Sequence, residues 1–135
     1  MASILVVEDE PIVSMQLQES LEGMGHKVPA IIDSGDEVLA AVIAHKPDLI
    51  LMDIKLRSFI DGVDAANRVR LVCDVPVIYL TAYPSKGSQD RAMGTRPAAY
   101  LVKPVSDKAL EEQIEWALGG DSASICADPG QGPST

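Results

Sequence analysis

The sequence predicts an α/β domain built on a five-stranded parallel sheet. Short apolar runs alternate five times with helical patterns, which is the signature of a parallel sheet with right-handed crossovers. Residues 48–52 (DLILM) are apolar after the first position, as expected of a central strand covered on both faces. Apolar residues make up 47% of the 135-residue chain, which is enough to build the core of one ordinary domain.

The strand candidates are short runs of aliphatic and β-branched residues. The first (SILVV) and the fourth (VPVIYL) are almost wholly apolar. The second (KVPAII) is more mixed, and the fifth (AAYLV) is closed by Lys103 and Pro104. We expect strands at residues 3–7, 27–32, 48–52, 75–80 and 98–102.

The helix candidates follow each strand and have recognisable ends. Pro11 suits the first position of a helix, where no amide donor is needed, and that helix should end near Gly23. Ser34 and Glu37 have the spacing of a capping box for a second helix that stops before Pro47. The fourth helix is a polar run with two glycines and few apolar anchors, so we expect it to be weakly packed and mobile. The last three helices are expected at residues 62–73, 89–94 and 105–118.

The carboxy-terminal segment differs from the rest of the chain. Residues 119–135 (GGDSASICADPGQGPST) show no periodicity and are rich in Gly, Ser, Asp and Pro. Such composition is typical of a disordered tail or a linker. We therefore expect one domain at residues 1–118 and a tail or linker at residues 119–135.

The formal net charge of −9 limits the classes of partner. An acidic surface repels nucleic-acid phosphates and anionic lipid heads, so neither nucleic acid nor membrane is an expected partner. A bound cation or a basic protein would suit it. The apolar runs are too short to span a bilayer, and no secretory signal is visible. With two cysteines, the chain fits a reducing cytoplasm.

Polar residues follow four of the predicted strands. Ligands of such sheets bind beyond the carboxyl ends of the strands, where Glu8, Asp9, Asp53, Thr81 and Lys103 fall. Three adjacent carboxylates repel one another, and a hard divalent cation such as Mg²⁺ relieves that repulsion. The metal, ammonium and hydroxyl groups could share the oxygens of a phosphoryl group while Asp53 attacks its phosphorus. The pattern therefore predicts an aspartyl-phosphate site.

Five motifs lie in register along the chain: ILVVED at 4–9, LILMDI at 49–54, DG at 61–62, VIYLTA at 77–82 and YLVKP at 100–104. Together they resemble the receiver domains of two-component response regulators. The resemblance covers about residues 3–118. It implies a flavodoxin-like doubly wound sheet with strand order 2-1-3-4-5 and five helices.

The resemblance also implies how the acidic residues are used. Asp53 would be the phosphoacceptor. Mg²⁺ would be held by Asp9, Asp53 and the backbone carbonyl of Lys55, and Glu8 would act through a metal-bound water.

Three further roles come from the resemblance. Thr81 would contact the phosphoryl oxygens, and Lys103 would pair with Asp53 or with its phosphate. Tyr100 occupies the position of a switch aromatic, which turns inward when Thr81 moves toward the phosphate. The bond before Pro104 resembles one that the family keeps cis.

The loop after Asp53 departs from the family pattern. Arg57 stands where proline is common, and residues 55–61 include one extra residue. Lys55 and Tyr83 lie two residues beyond Asp53 and Thr81, where a cation and a bulky ring could obstruct the water that hydrolyses the phosphate. We expect a comparatively long-lived phosphate.

Three apolar side chains lie off the core stripes of their helices. Ile12 and Met15 stand near the acidic site, and we expect them to form part of the docking surface for the kinase or phosphotransferase. Trp116 points away from the stripe of the last helix. It is either an incidental exposed aromatic or a contact with a partner or a second copy in a homodimer.

The first functional interpretation is a phosphorylation-dependent switch or phosphorelay shuttle. It would take phosphate from a sensor histidine kinase or a histidine phosphotransferase and act on a downstream protein target. It would catalyse only its own phosphorylation and slow dephosphorylation, so it is not an enzyme in the usual sense. Two alternatives are a phosphorylation-independent binding module and a receiver fragment of a longer hybrid kinase or regulator. The turn EDEP has no glycine-rich phosphate loop, which disfavours a nucleotide-binding enzyme.

Overall fold

A computed structural model describes residues 2–119 of the 135-residue chain. One parallel sheet has the strand order β2-β1-β3-β4-β5, which confirms the predicted flavodoxin-like α/β fold. The strands are β1 (Ile4–Val7), β2 (Ile31–Ile32), β3 (Leu49–Asp53), β4 (Val77–Thr81) and β5 (Ala99–Val102). The helices are α1 (Pro11–Gly23), α2 (Val38–His45), α3 (Gly62–Arg70), α4 (Lys86–Met93) and α5 (Asp107–Gly119).

The sheet separates two apolar cores. On one face, Val42 of α2 and Val69 of α3 pack against side chains of β1, β3 and β4. On the other face, Leu21 of α1 and Ile114 of α5 pack against the alternate side chains of the same strands. Every residue of β1, β3 and β4 is buried, because the three central strands are covered on both sides.

The second strand is shorter than predicted. We expected residues 27–32, but only Ile31–Ile32 form β2, and Lys27 makes an isolated bridge with Ser3. Pro29 lies between them and has no amide proton to donate to the ladder. This explains why the pairing is interrupted.

The start of the second helix also differs. Ser34 accepts a hydrogen bond from the Asp36 amide at 3.2 Å, two residues on, so the predicted capping box with Glu37 is wrong. The chain first forms a 3-10 turn at Gly35–Glu37 and then enters α2.

Other helix boundaries in the structure differ from the predicted ones by a few residues. Helix α3 ends at Arg70 rather than at residue 73, and α4 begins at Lys86 because Ser85 caps it through the Ser88 amide. The domain boundary predicted after residue 118 falls inside α5, which continues to Gly119. The rest of the predicted tail lies outside the described residues.

Within residues 2–119, the structure contains no helix that is both long enough and apolar enough to pass through a bilayer.

Candidate functional site

The predicted site residues meet at the carboxyl edge of the sheet. Asp53 is the last residue of β3 and Thr81 is the last residue of β4. Glu8 follows β1 directly, and Lys103 follows β5. Neighbouring strand ends thus bring the acid, the hydroxyl and the ammonium together. The Lys103–Pro104 peptide bond is cis, as the resemblance implied.

A glycine supports the end of β3. The Gly62 amide donates to the Ile54 carbonyl at 2.8 Å. A Cβ atom at Gly62 would lie 2.1 Å from the Asp53 carbonyl oxygen and 2.9 Å from the Ile54 Cα. Only glycine permits so close an approach of backbone to backbone. The start of α3 therefore fixes the main chain beneath Asp53.

Three carboxylates form one cluster. Glu8, Asp9 and Asp53 each offer an oxygen, and these oxygens lie within 4.8 Å of one another. Glu8 is 2% exposed and Asp53 is 6% exposed. Hard oxygen ligands at this spacing suit Mg²⁺, which takes one or two carboxylates and keeps several waters.

Lys103 contacts Glu8 more closely than Asp53. Its Nζ lies 2.6 Å from Glu8 Oε1 and 3.6 Å from Asp53 Oδ2. The other oxygen of Glu8 accepts from the Glu10 amide at 3.2 Å. Both oxygens of Glu8 thus have partners within the protein, which agrees with an indirect role at a metal. Burial lowers the pKa of Lys103, but Glu8 and Asp53 outweigh it and hold that pKa above its ordinary value.

The environment of Asp53 opposes its ionisation. Its pKa is raised from 3.8 to about 7, chiefly by burial and then by the neighbouring charge of Glu8. The Lys103 ammonium and the Lys55 amide act in the opposite direction, and that amide donates to Asp53 Oδ1 at 3.2 Å. A further positive charge in the cluster would favour the ionised carboxylate.

Lys55 and Tyr83 contact each other above the strand ends. The Lys55 Nζ lies 5.3 Å from the centre of the Tyr83 ring, within the range of a cation–π contact. The Tyr83 amide donates to Thr81 Oγ1 at 3.2 Å. Thr81 itself is 1% exposed. The pair spans the loops that leave β3 and β4.

Tyr100 packs beside a tyrosine of β4. Its ring centre lies 6.5 Å from that of Tyr79, the residue opposite it in the register. Its hydroxyl oxygen is buried and has no hydrogen-bond partner among the described residues. By contrast, Tyr79 Oη lies 2.7 Å from Thr95 Oγ1, and Thr95 donates to the Ala92 carbonyl at 2.6 Å. This chain of hydrogen bonds ties the end of α4 to β4, and the sequence reading missed it.

Arg57 contacts the acidic cluster, which the sequence reading also missed. Its amide donates to Asp9 Oδ2 at 2.9 Å, and its Nε lies 3.6 Å from the same oxygen. The only signal was the unusual arginine four residues after Asp53. Because the β3–α3 loop leaves the same edge of the sheet, a cation there can reach the carboxylates.

Helix α4 is attached through polar contacts. Arg91 lies 3.0 Å from Asp61 and 3.2 Å from Asp64 at the start of α3. Burial raises the pKa of Asp61, but the Arg91 and backbone hydrogen bonds hold it below its ordinary value. Ala92 is the only buried apolar side chain of α4, which fits the weak packing that the sequence predicts. The mobility of the helix stays a prediction.

The predicted contact residues are all exposed. Ile12 is 72%, Met15 is 64% and Trp116 is 69% exposed. The sequence reading missed Phe59 in the β3–α3 loop, which is 98% exposed. Their roles in partner binding stay predictions. Trp116 borders a cavity of about 530 Å³ at the opposite edge of the sheet.

The family model of the response regulator receiver domain matches residues 4–115. The chain is similar to the transcriptional regulatory protein PdtaR of Mycobacterium tuberculosis, with 36% identity over 85% of this chain and 56% of the relative. It is also 36% identical to the phyllosphere-induced regulator PhyR of Methylorubrum extorquens, over 85% of this chain and 43% of the relative. The chain thus spans about half the length of these curated relatives.

Solved structures show the same fold. The signal receiver domain of a modulated diguanylate cyclase from Desulfovibrio desulfuricans G20 has a TM-score of 0.84 at 33% identity, over 88% of this chain and 94% of the other. The receiver domain of a sensor histidine kinase from Pseudomonas aeruginosa PAO1 has a TM-score of 0.79 at 27% identity, over 88% of this chain and 98% of the other. That second structure holds a magnesium ion in its active-site cleft.

Proposed function

Because the chain belongs to the response regulator receiver domain family, we propose that it is a phosphorylation-dependent switch in which Asp53 accepts a phosphoryl group from a phosphohistidine. The observation that carries the proposal is the buried Asp53 carboxylate, 3.6 Å from the Lys103 ammonium and within a cluster of three acids. The donor would be a sensor histidine kinase or a histidine phosphotransferase. A pure binding module has no need for this combination of groups.

The transfer itself is a displacement at phosphorus. An oxygen of the ionised Asp53 carboxylate forms a bond to phosphorus as the bond from phosphorus to the donor imidazole nitrogen breaks. The electron pair leaves with the imidazole, which takes up a proton from solvent. Lys103 stabilises the charge on the phosphoryl oxygens and the hydroxyl of Thr81 hydrogen-bonds one of them, so positioning and electrostatics supply most of the catalysis.

Mg²⁺ is the cofactor that the acidic cluster fits. We assign Asp9, Asp53 and the Lys55 carbonyl as its ligands and Glu8 as a residue that acts through a metal-bound water. When bound, the ion neutralises charge on the carboxylates and on the transferred phosphoryl group. Glu8 remains paired with Lys103 and keeps the ammonium beside the acceptor.

The response to phosphorylation would pass through β4 and β5. Thr81 moves toward the phosphoryl group and vacates space beside Tyr100, whose buried hydroxyl has no partner in the described structure. The ring then shifts and alters the surface around α4 and β5. A downstream protein target would sense this surface, as the regulatory names of the relatives suggest.

Lys55 and Tyr83 would set the lifetime of the phosphate. Their contact places a cation and a ring over the loops that flank the acceptor. We propose that the two side chains obstruct the water that attacks phosphorus opposite Asp53. A comparatively stable phosphate is the expected consequence.

Exposed apolar side chains suggest the surfaces that would contact partner proteins. Ile12 and Met15 on the first turns of α1 would contact the phosphodonor protein, because they are exposed beside the acidic cleft. Trp116 on α5 would contact a partner or a second copy of the chain in a homodimer.

The test is phosphorylation of the whole chain with Mg²⁺ and a small phosphodonor. The wild type should gain an acid-stable, alkali-labile adduct. Asp53→Asn should gain none, and Asp9→Asn should gain it far more slowly because the acceptor remains but a metal ligand is lost. Equal labelling of Asp53→Asn and wild type would move the acceptor elsewhere.

A further inference from the structure

Two cations contact the three carboxylates of the acidic cluster, and each pairs with different acids. Lys103 reaches Glu8 at 2.6 Å and Asp53 at 3.6 Å. Asp9 instead faces Arg57, whose amide and Nε both point to Oδ2, at 2.9 Å and 3.6 Å. Asp9 thus has a counter-charge of its own from the β3–α3 loop.

We infer that Arg57 is a positioning residue that competes with Mg²⁺ for Asp9 and thereby lowers the affinity of the site for the metal. The inference rests on the proposed metal site. The Arg57 guanidinium forms an ion pair with the Asp9 carboxylate. Mg²⁺ at the same carboxylate would be repelled by this second cation, so it binds against the charge of Arg57.

The backbone beneath Arg57 is held in place. Leu56 and Ile60 of the same loop are 8% and 6% exposed and pack into the core. Ser58 donates to the Ile60 carbonyl at 2.6 Å and accepts from the Gly35 amide at 2.8 Å. The Arg57 amide is therefore a fixed donor that orients Asp9.

The side chain of Arg57 is free to move. It is 81% exposed, and Asp9 is the only acid that it pairs with among residues 2–119. The amide would continue to hold Asp9 when the guanidinium turns away. Competition with the metal is thus confined to the side-chain charge, which a substitution can remove without disturbing the loop.

The expected size of the effect is modest. Exposed ion pairs contribute little because solvent screens them and the side chains lose freedom. Removing the charge should tighten Mg²⁺ binding by about threefold. Arg57→Lys keeps a cation on the same fixed backbone and should stay near the wild-type affinity.

The test is a calorimetric titration of the whole chain with Mg²⁺ alone, at physiological ionic strength. Arg57→Gln should bind about threefold more tightly than wild type. The matched control is Arg68→Gln, which makes the same change in net charge at an exposed position on the last turn of α3, toward the opposite edge of the sheet. Its affinity should stay close to that of wild type, since screening limits distant charges. Unchanged melting temperatures would verify that each variant is folded.

Three results would overturn the inference about Arg57 alone. These are equal affinities of Arg57→Gln and Arg68→Gln, weaker binding by Arg57→Gln, or the same tightening in Arg57→Lys as in Arg57→Gln. A wild type that binds no Mg²⁺ would overturn the proposed metal site and this inference with it.

Discussion

Gly62→Ala should damage both stability and phosphorylation, because a Cβ atom there collides with the backbone of Asp53, the proposed phosphoacceptor. The new atom would lie 2.1 Å from the Asp53 carbonyl oxygen, whereas real Cβ contacts essentially never fall below 3.0 Å. The strand end must therefore shift by about 0.9 Å. Overpacking of this kind costs about 2 kcal/mol, which lowers the melting temperature by roughly 6–10 °C in a domain of this size.

The same shift displaces Asp53, the proposed nucleophile. A misplacement near 1 Å costs on the order of 100-fold in rate, so the initial rate of phosphorylation by a small phosphodonor should fall by about that factor. Circular dichroism would follow the melting, and the rate would be measured well below the melting temperature. Gly62→Ala at wild-type rate would refute the role given to this glycine.

Gly35→Ala is the matched control. Its Cβ would lie 2.0 Å from the Ile60 carbonyl oxygen, so a similar loss of stability is expected without a clash against Asp53. Gly87 has nothing within 4 Å of an added Cβ and lies in α4, so Gly87→Ala should stabilise by about 0.5–1 kcal/mol. A loss of phosphorylation rate in Gly35→Ala as large as that in Gly62→Ala would show that instability alone explains the effect.

Four further predictions concern the core and the chemistry of the site. Thr95→Val should lower the free energy of unfolding in urea by about 1–3 kcal/mol, because the buried Tyr79 hydroxyl loses its hydrogen-bond partner. Tyr79→Phe should lower it less, because Thr95 still donates to the Ala92 carbonyl. The reverse order would contradict the hydrogen-bond chain. Lys55→Ala and Tyr83→Ala should each accelerate dephosphorylation severalfold, and unchanged decay in both would reject their role in phosphate lifetime. The apparent Mg²⁺ affinity should fall as pH drops below about 7, because a proton then occupies Asp53. Without metal, the folded state retains that proton at a pH where the unfolded state has lost it, so the free energy of unfolding should decrease as pH rises from 3.8 to about 7. Affinity that is flat across this range would count against a raised pKa at Asp53.

The strand ends were predictable because direction in a parallel sheet is uniform. Once the apolar runs are recognised as strands, Glu8, Asp53, Thr81 and Lys103 must emerge at one edge. The order of the strands required the resemblance, since apolar composition alone does not say which runs are neighbours. The structure has the implied order.

The details of pairing were less predictable because they depend on side-chain rotamers and loop paths. Lys103 was expected beside Asp53 but lies 1 Å closer to Glu8. The contact of Arg57 with Asp9 depends on how the lengthened β3–α3 loop folds over the cluster, which no periodicity describes. No local pattern singled out Thr95, because its partner Tyr79 lies 16 residues earlier, in β4.

Local rules also competed with one another. Pro29 was visible in the predicted second strand, yet the β-branched composition around it favoured a longer strand than the structure contains. Ser34 and Glu37 matched a capping box, but Gly35, which lies against the Ile60 carbonyl, begins a 3-10 turn instead. In both places a single residue that restricts or permits the backbone outweighed the surrounding pattern.

Borohydride trapping can show whether Asp53 carries the phosphoryl group. Borohydride reduces an aspartyl phosphate to homoserine, so phosphorylated protein can be reduced, digested and sequenced by mass spectrometry. We expect homoserine at position 53 only when both Mg²⁺ and phosphodonor are present. Homoserine at another aspartate, or none at position 53 in protein that carries the alkali-labile adduct, would contradict that expectation.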